Sequence, residues 1–346
     1  MSDTHPKNDE PRPDKFDEAA PELLPDSDDE EGVVPGAAAP VEFVLPLTQS
    51  PDRLDKVLAG LMPEHSRSRL QQWIQGGHVR VNGGAAGVRQ RVYPHDRITV
   101  HEQKSDEARA FTPEPMDLDI IAESPDWIVV NKPAGLVTHP GAGNWQGTLL
   151  NGLLYQYPEL VHVPRAGIVH RLDKDTSGIL VVARHDKAQT SLVRQLQART
   201  VHREYGALVH EHVVASGTVD MPVGRDRRVP VRMSVRQPLA AKPAVTHYHM
   251  VRHGMLEGQW RVTELRCRLQ TGRTHQIRVH MAGIGHPLLG DTLYGGRQIG
   301  GALRQMLHAH TLGFADVSDG QWREFHAPWP DDFEQMRDAI QWGGGG

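Results

Sequence analysis

Two short apolar runs, Trp127-Ile128-Val129-Val130 and Ile179-Leu180-Val181-Val182-Ala183, constrain the architecture of this chain more than any other feature. Each has the length of a strand and neither alternates with polar residues, so both are predicted as strands covered on both faces. The pattern around them is mixed. Residues 186–199 fit one helix with Leu192, Val193 and Leu196 on its inner face. Leu265, Cys267 and Leu269 alternate with Arg266 and Arg268. Ile277, Val279 and Met281 alternate with Gln276, Arg278 and His280 after a Thr271-Gly272-Arg273 turn, so both segments are predicted as half-buried strands. Strands and helices do not succeed one another as regular βαβ units. The expected class is therefore α+β, built on a largely antiparallel mixed sheet.

Upstream the composition changes. Residues 1–40 hold 12 acids against 3 bases and a single aromatic residue, Phe16, whereas the remainder holds 31 acids and 35 bases. A segment with a net charge of -9 and one aromatic residue cannot bury enough apolar area to offset its ordering entropy, so residues 1–45 are predicted as a disordered acidic tail. Residues 50–101 read as a small α/β unit. One short helix begins near Arg53, and a second runs from Ser66 to a Gly76-Gly77 stop with Leu70, Trp73 and Ile74 on one face. The strand Val79-Arg80-Val81 then ends in an Asn82-Gly83 turn. Arg67, Arg69, Arg80, Arg89 and Arg91 give this unit a cationic face suited to a polyanion. Residues 102–115 read as a linker, 116–338 as the main domain and 339–346 as a flexible end.

Several classes are set aside by the same reading. No apolar stretch approaches the roughly 18 residues of a membrane span, and the start lacks the basic-then-apolar layout of a signal peptide. One cysteine, Cys267, excludes an intramolecular disulfide and any multi-thiolate metal site. The expected setting is the cytoplasm, with the chain acting as a monomer. The 21 histidines form no His-Glu-x-x-His helix, and His308 and His310, two apart, lack a third ligand and read as surface or RNA-facing groups. Neither a metal nor a cofactor is expected.

Three segments concentrate polar residues on otherwise apolar elements. In the first, Gly167 to Gly178, Asp173 lies between Arg171 and Lys174. An ionised, oriented aspartate serves as a nucleophile or base, and equally as a turn residue capping backbone amides. Asp173-x-Asp175 as an ion-binding pair is a weak signal, since two acids two apart are common. The second segment, Arg203 to Val209, places Tyr205 on one strand face with Ala207 and Val209, where a core aromatic is the usual reading. The third, Gly272 to His280, brings Gln276, Arg278 and His280 together; burying them is costly without partners or ligand, and Arg278 could pair with a buried carboxylate.

Taken in order, these segments resemble the pseudouridine synthases of the RluA family. His170-Arg171-Leu172-Asp173 with Thr176-Ser177-Gly178 is similar to the family's central motif, and Asn131-Lys132-Pro133-Ala134-Gly135-Leu136 with His139-Pro140-Gly141 to its first. Arg203-Glu204-Tyr205 and Gly272 to His280 resemble the later two, and residues 52–100 resemble the S-four-type RNA-binding domain that precedes the catalytic domain in many members. One departure is Pro94-His95-Asp96, where that small domain usually carries a Gly-Asp turn. Gly147-Thr148-Leu149-Leu150-Asn151, Pro164-Arg165-Ala166-Gly167 and His286-Pro287-Leu288-Leu289-Gly290-Asp291 look like the RluD-type branch, which acts on the helix 69 hairpin of 23S rRNA.

The resemblance implies a pseudouridine synthase fold and an isomerisation without redox change. Asp173 would be the nucleophile toward a flipped uridine, Arg278 its ion-pair partner, and Tyr205 the ring that stacks on the base and accepts the C5 proton. It carries Asn131, Lys132, His170, Arg171, Arg273, His275 and Gln276 over as nucleotide contacts. It makes RNA the partner: 23S rRNA, within the assembling large subunit. The rival readings are a non-catalytic RNA-binding factor, a hydrolytic N-glycosidase using Asp175 as a second carboxylate, and the same chemistry on other uridines of rRNA or tRNA.

Overall fold

The computed structural model describes residues 40–103, 110–141, 143–229 and 231–343. They divide into two compact units that part at Ala110 and Phe111. Most of the predicted tail, residues 104–109 of the predicted linker, and residues 344–346 lie outside the described residues.

The smaller unit contains β1 (Val41–Val44), α1 (Leu54–Leu61), α2 (Arg67–Gln75), β2 (Val79–Val81), β3 (Gly84–Ala85) and β4 (Arg97–Val100), in a sheet of order β1-β4-β2-β3. Ser66 caps α2 by accepting the Arg69 N–H, and Gly76 ends it, as its sequence predicts. Leu54, Leu58, Leu70, Trp73, Ile74, Val79 and Ile98 form the core of the unit. Strand β1 corrects the predicted tail boundary. Val41 and Phe43 are half-buried, alternate with exposed Glu42 and Val44, and pair through the backbone with β4, Val41 opposite Val100. At the Pro94-His95-Asp96 departure, His95 itself takes the left-handed φ of 70° that the family's glycine would otherwise supply.

The larger unit is built on one ten-stranded sheet. Its elements are β5 (Asp119–Glu123), β6 (Trp127–Lys132), α3 (Leu149–Gln156), β7 (Ser177–Ala183), α4 (Asp186–Gln197), β8 (His202–His210), β9 (Gly217–Asp220), β10 (Val245–Leu256), β11 (Trp260–Leu269), α5 (Gln276–Gly283), β12 (Leu307–Ala315), β13 (Trp322–His326), α6 (Asp331–Ala339) and β14 (Ile340–Trp342). The strand order is β9-β10-β11-β8-β12-β7-β6-β5, with β13 added to β12 and β14 to β10. Neighbours are antiparallel except β7 and β12, which meet in parallel at Ser177–His308 and Gly178–Ala309. The largely antiparallel mixed sheet is thus the architecture present. Strand β7 is buried along its whole length. Leu149, Leu150, Leu153 and Leu154 of α3 and Ala188 and Leu192 of α4 pack into the same apolar cluster. Gly178 has φ 117°, and a methyl group there would lie 2.1 Å from the Ala309 carbonyl oxygen, so only glycine lets β12 approach β7 here.

Three further expectations need correction. Residues 276–283 are a helix, α5, not a strand. Gln276 to Met281 are all buried, so the alternation of polar and apolar residues marks no solvent face; each polar side chain finds a partner instead. Gln276 and His280, one turn apart, both bond the Thr246 hydroxyl, while Arg278 points away from them toward carboxylates. The end of the predicted linker is bound to α3: the Glu114 N–H donates to the Asn151 carbonyl, and the Asn151 amide to the Thr112 carbonyl. The predicted flexible end forms β14, with Ile340 buried and the Arg252 guanidinium 4.0 Å above the Trp342 ring. Among the described residues, no helix is long and apolar enough to cross a membrane.

Candidate active site

Asp173 occupies the first position of a turn closed by the Thr176 N–H bonding the Asp173 carbonyl at 3.0 Å. The backbone before it is clamped by Thr138, whose hydroxyl donates to the Leu172 carbonyl at 2.8 Å and accepts the Leu172 N–H at 3.3 Å. Behind the turn lies Lys132, fully buried at the end of β6. Its ammonium donates to the carbonyls of Pro133, Leu136 and Lys174 at 2.8–3.0 Å, and the Gly135 N–H also bonds the Lys174 carbonyl. Burial pulls Lys132 down to about 7 against the opposing charges of Asp173 and Asp175. Lys132 therefore fastens the segment after β6 to the Asp173 turn and touches no solvent.

The far side of the turn is fixed as firmly. Arg304 donates to the Asp175 carbonyl and grips Asp332 with two bonds of 2.6 and 2.8 Å. Gln305 donates to the Thr176 hydroxyl, and the Ser177 hydroxyl bonds His308 Nδ1 at 3.0 Å. His308 is fully buried, not the surface group its spacing suggested, and burial holds it down to about 3, in the neutral form. Substitution of Lys132 by methionine, which fills similar volume, leaves three carbonyls without their donor but also removes a costly buried charge. The expected outcome is a fall in kcat of about a hundredfold with a stability change below about 2 kcal/mol, read by single-turnover assay and denaturant unfolding.

The carboxylate that this frame presents is 18% exposed. Arg278 Nη1 donates to its Oδ2 at 3.2 Å, and His275 Nε2 lies 3.9 Å from its Oδ1. The other edge of the Arg278 guanidinium holds Asp291 in two bonds of 2.7 and 2.9 Å, and Asp291 is almost fully buried. One planar cation thus bridges two carboxylates, and its pKa rises because both favour its charge despite burial. Tyr294 lies beneath Arg278, the guanidinium 5.1 Å from its ring centre. Its hydroxyl accepts the Met233 N–H and meets His275 Nδ1 at 2.8 Å. Burial pushes that hydroxyl up to about 12, so it stays protonated. Burial also holds His275 below its ordinary pKa, opposed by the nearby charge of Asp173, which its Nε2 faces. His275 takes a left-handed φ of 55° to do this, a strained conformation for a histidine.

Tyr205 stands on β8 where β12 carries one extra residue, His310, between Thr311 and Ala309, while β8 pairs with β11 without a break. It is buried, which pushes its phenol up to about 12; the charge of Asp173 adds to this and that of Arg203 opposes it. Arg171 is exposed, and its charge reaches both His139 and His275.

The remaining sequence-derived candidates have other uses. Asn131 donates to Asp119 at 2.8 Å on the neighbouring strand. His170 accepts the Val181 N–H, and burial holds it neutral down to about 3. Gln276 is saturated: its carbonyl accepts from Thr271 and the Arg273 N–H, and its amide donates to the Val245 carbonyl and Thr246. Arg273 donates to the Pro243 carbonyl. In the small unit, Arg67 with Arg53 and Gln71 encloses fully buried Asp55, whose burial opposes ionisation but whose hydrogen bonds hold it down at about 2. Arg69 lies over the Trp73 ring, and Arg80 is exposed. Sequence reasoning gave no role to Thr138, Tyr294, Arg304 or Arg203, and Asp291 entered only inside a longer likeness. Arg278 called for a carboxylate, but nothing local said that it would hold two. Among the described residues, one trio of potential metal ligands occurs, Glu64, His65 and Glu102, and it belongs to the small unit.

The arrangement supplies one oriented carboxylate, fixed from behind, paired with the Arg278 cation and faced by the His275 imidazole, with the Tyr205 phenol within range of its charge. That is equipment for attack at an electrophilic carbon. Residues 126–283 match the RNA pseudouridylate synthase family and residues 52–98 the S4 domain. The ribosomal large subunit pseudouridine synthase D of Haemophilus influenzae is 48% identical over 85% of this chain and 92% of its own length. That of Escherichia coli K12 is 45% identical over 84% and 94%. The solved structure of human RNA pseudouridylate synthase domain containing 1 is 29% identical and superimposes with a TM-score of 0.52, covering 70% of this chain and 91% of its own. With its fold, its two matched domains and these relatives, the chain belongs to the RNA pseudouridylate synthase family and is an isomerase of uridines in RNA.

Proposed function

We propose that this enzyme converts uridine to pseudouridine in the ribosomal RNA of the large subunit, at the helix 69 hairpin of 23S rRNA, with Asp173 as nucleophile. The observation that carries the chemistry is the Asp173 carboxylate held between Arg278 and His275 on a turn locked by Lys132, Thr138 and Arg304. Support for the target comes from relatives at 45–48% identity that carry a large-subunit name. Support for helix 69 is the likeness of residues 147–151, 164–167 and 286–291 to the RluD-type branch.

Uridine in a hairpin must leave its stack before a carboxylate can reach C1′, which costs a few kcal/mol. Contacts elsewhere offset that cost, and the basic small unit with Arg69 and Arg80 is suited to phosphate and shape recognition. Once the nucleotide is seated, Asp173 attacks the sugar as the C1′–N1 bond breaks. Arg278 fixes the carboxylate, Arg171 stands at the rim for a phosphate, and Tyr205 stacks on the uracil. The uracil turns, rejoins through C5 and loses the C5 proton. Because Tyr205 is protonated up to about 12, it accepts that proton only by passing its own onward. Hydrolysis, with Asp175 as the second carboxylate that would activate water, is the rival that product analysis separates. Incubating the purified chain with unmodified 23S rRNA and digesting to nucleosides should yield pseudouridine and no free uracil. Released uracil would establish a glycosidase instead, and product confined to tRNA would overturn the target.

A further inference from the structure

Among the described residues, the buried guanidinium of Arg203 has no carboxylate against it. It is 9% exposed, its Nε is buried with no hydrogen-bond partner, and the one side chain whose charge favours its ionised form is the phenol of Tyr205. Buried arginines ordinarily sit on a carboxylate, as Arg278 sits on Asp291, because a desolvated cation left unpaired is expensive. The position of this one is defined. It lies two residues before Tyr205 on β8, hence on the same strand face. A methyl group on Gly272 would come within 2.7 Å of its Nη1, so the guanidinium rests on the backbone that leads into His275 and α5. Its charge also acts on His170, just ahead of the Asp173 turn. Among these neighbours no described residue provides the missing anion.

We propose that the missing anion is the uracil detached during the reaction, and that Arg203 is a catalytic residue that stabilises it through a carbonyl oxygen. This rests on the isomerase reading above. When the C1′–N1 bond breaks, whether Asp173 adds to C1′ or a base removes a C2′ proton, the bonding pair leaves with N1. Uracil then carries one negative charge, delocalised over N1, O2 and O4. On rejoining, C5 bonds to C1′, Asp173 or the sugar regains its original state, and the C5 proton is exchanged for one on N1. The charge exists only between those two events. A preorganised donor in a site that excludes water is most effective against a charge of that kind. Arg203 stands on the Tyr205 side of the site, where the stacked ring would be held, and its freedom from any carboxylate leaves its donors for the ligand.

The test compares Arg203→Gln and Arg203→Lys with wild type on a 23S rRNA hairpin transcript carrying uridine or 5-fluorouridine, whose ring is the better leaving group. Arg203→Gln should slow single-turnover loss of the uridine by about a hundredfold at saturating enzyme, with RNA affinity within about threefold of wild type. Its defect should shrink at least about tenfold on 5-fluorouridine, since a stabler anion needs the cation less. Arg203→Lys, which keeps a charge and carries the test if Arg203→Gln does not fold, should fall between. Equal defects on both substrates, or a defect in affinity with a salt slope lowered by about one, would mean a phosphate contact and overturn the proposal. Wild-type rates in a mutant with lowered melting temperature would make Arg203 structural only. If Asp173→Asn stays active, the isomerase mechanism and this role fall together. If Asp173→Asn is dead while Arg203→Gln turns over normally, only the role of Arg203 falls.

Discussion

Asp173→Asn is expected to lower single-turnover conversion of uridine by at least about 10⁴-fold while leaving RNA affinity and folding almost unchanged. The substitution keeps the shape of the side chain, so the turn closed by Thr176 and clamped by Thr138 has no reason to move. On the proposed mechanism it removes the anion that attacks the sugar or assists the departure of uracil. Its effect on stability is small for a specific reason. Asp173 is partly exposed and accepts a single bond from Arg278, whereas Asp291 accepts two and is buried, so the guanidinium stays compensated without Asp173. A shift within about 1 kcal/mol in denaturant unfolding is the expected companion to the lost rate. A rate loss accompanied by unfolding would instead mark Asp173 as a structural turn residue.

Arg278 gives the second large effect, and here activity and stability part company. Arg278→Lys supplies a charge but not the planar fork that reaches Asp173 through Nη1 and Asp291 through Nε and Nη2. It should cost about 10²- to 10³-fold in kcat. Arg278→Met goes further, leaving Asp291 buried at 1% exposure with an uncompensated charge, and should destabilise the fold by about 3–5 kcal/mol. Adding Asp291→Asn removes that charge. The double variant should regain much of the stability in denaturant unfolding and none of the activity, because Asp173 still lacks its partner. Recovery of turnover in the double variant would show that Arg278 acts only by neutralising Asp291.

These expectations rest on positions that the sequence makes visible to different degrees. The strands around Trp127–Val130 and Ile179–Ala183 are legible because they are buried along their whole length, and Leu265–Leu269 because it buries every second residue. Helix α5 is not, because periodicity reports which face meets solvent and this helix has none. Its Gln276, Arg278 and His280 are satisfied in two opposite directions by partners far along the chain. The same limit hides Asp291, Arg304 and Thr138. Each reaches the site through a residue 13 to 129 positions away, and no local pattern encodes such a partner. Lys132 is legible as a motif residue but not in its role. A lysine beside a nucleophile suggests a phosphate contact, and only the three carbonyls around its ammonium show that it holds the turn from behind. Strand β1 was missed because four alternating residues follow a long acidic stretch whose composition dominates any window that includes them.

The central claim, that Asp173 drives uridine isomerisation in large-subunit ribosomal RNA, is tested most directly by mapping pseudouridine across total RNA. The cells compared carry either the wild-type chain or Asp173→Asn as the sole copy. The account predicts loss of pseudouridine confined to helix 69 of 23S rRNA, with every other site retained. An unchanged map, with the variant shown to be folded and expressed at the wild-type level, would contradict it and leave the chain a binding factor whose Asp173 only shapes a turn.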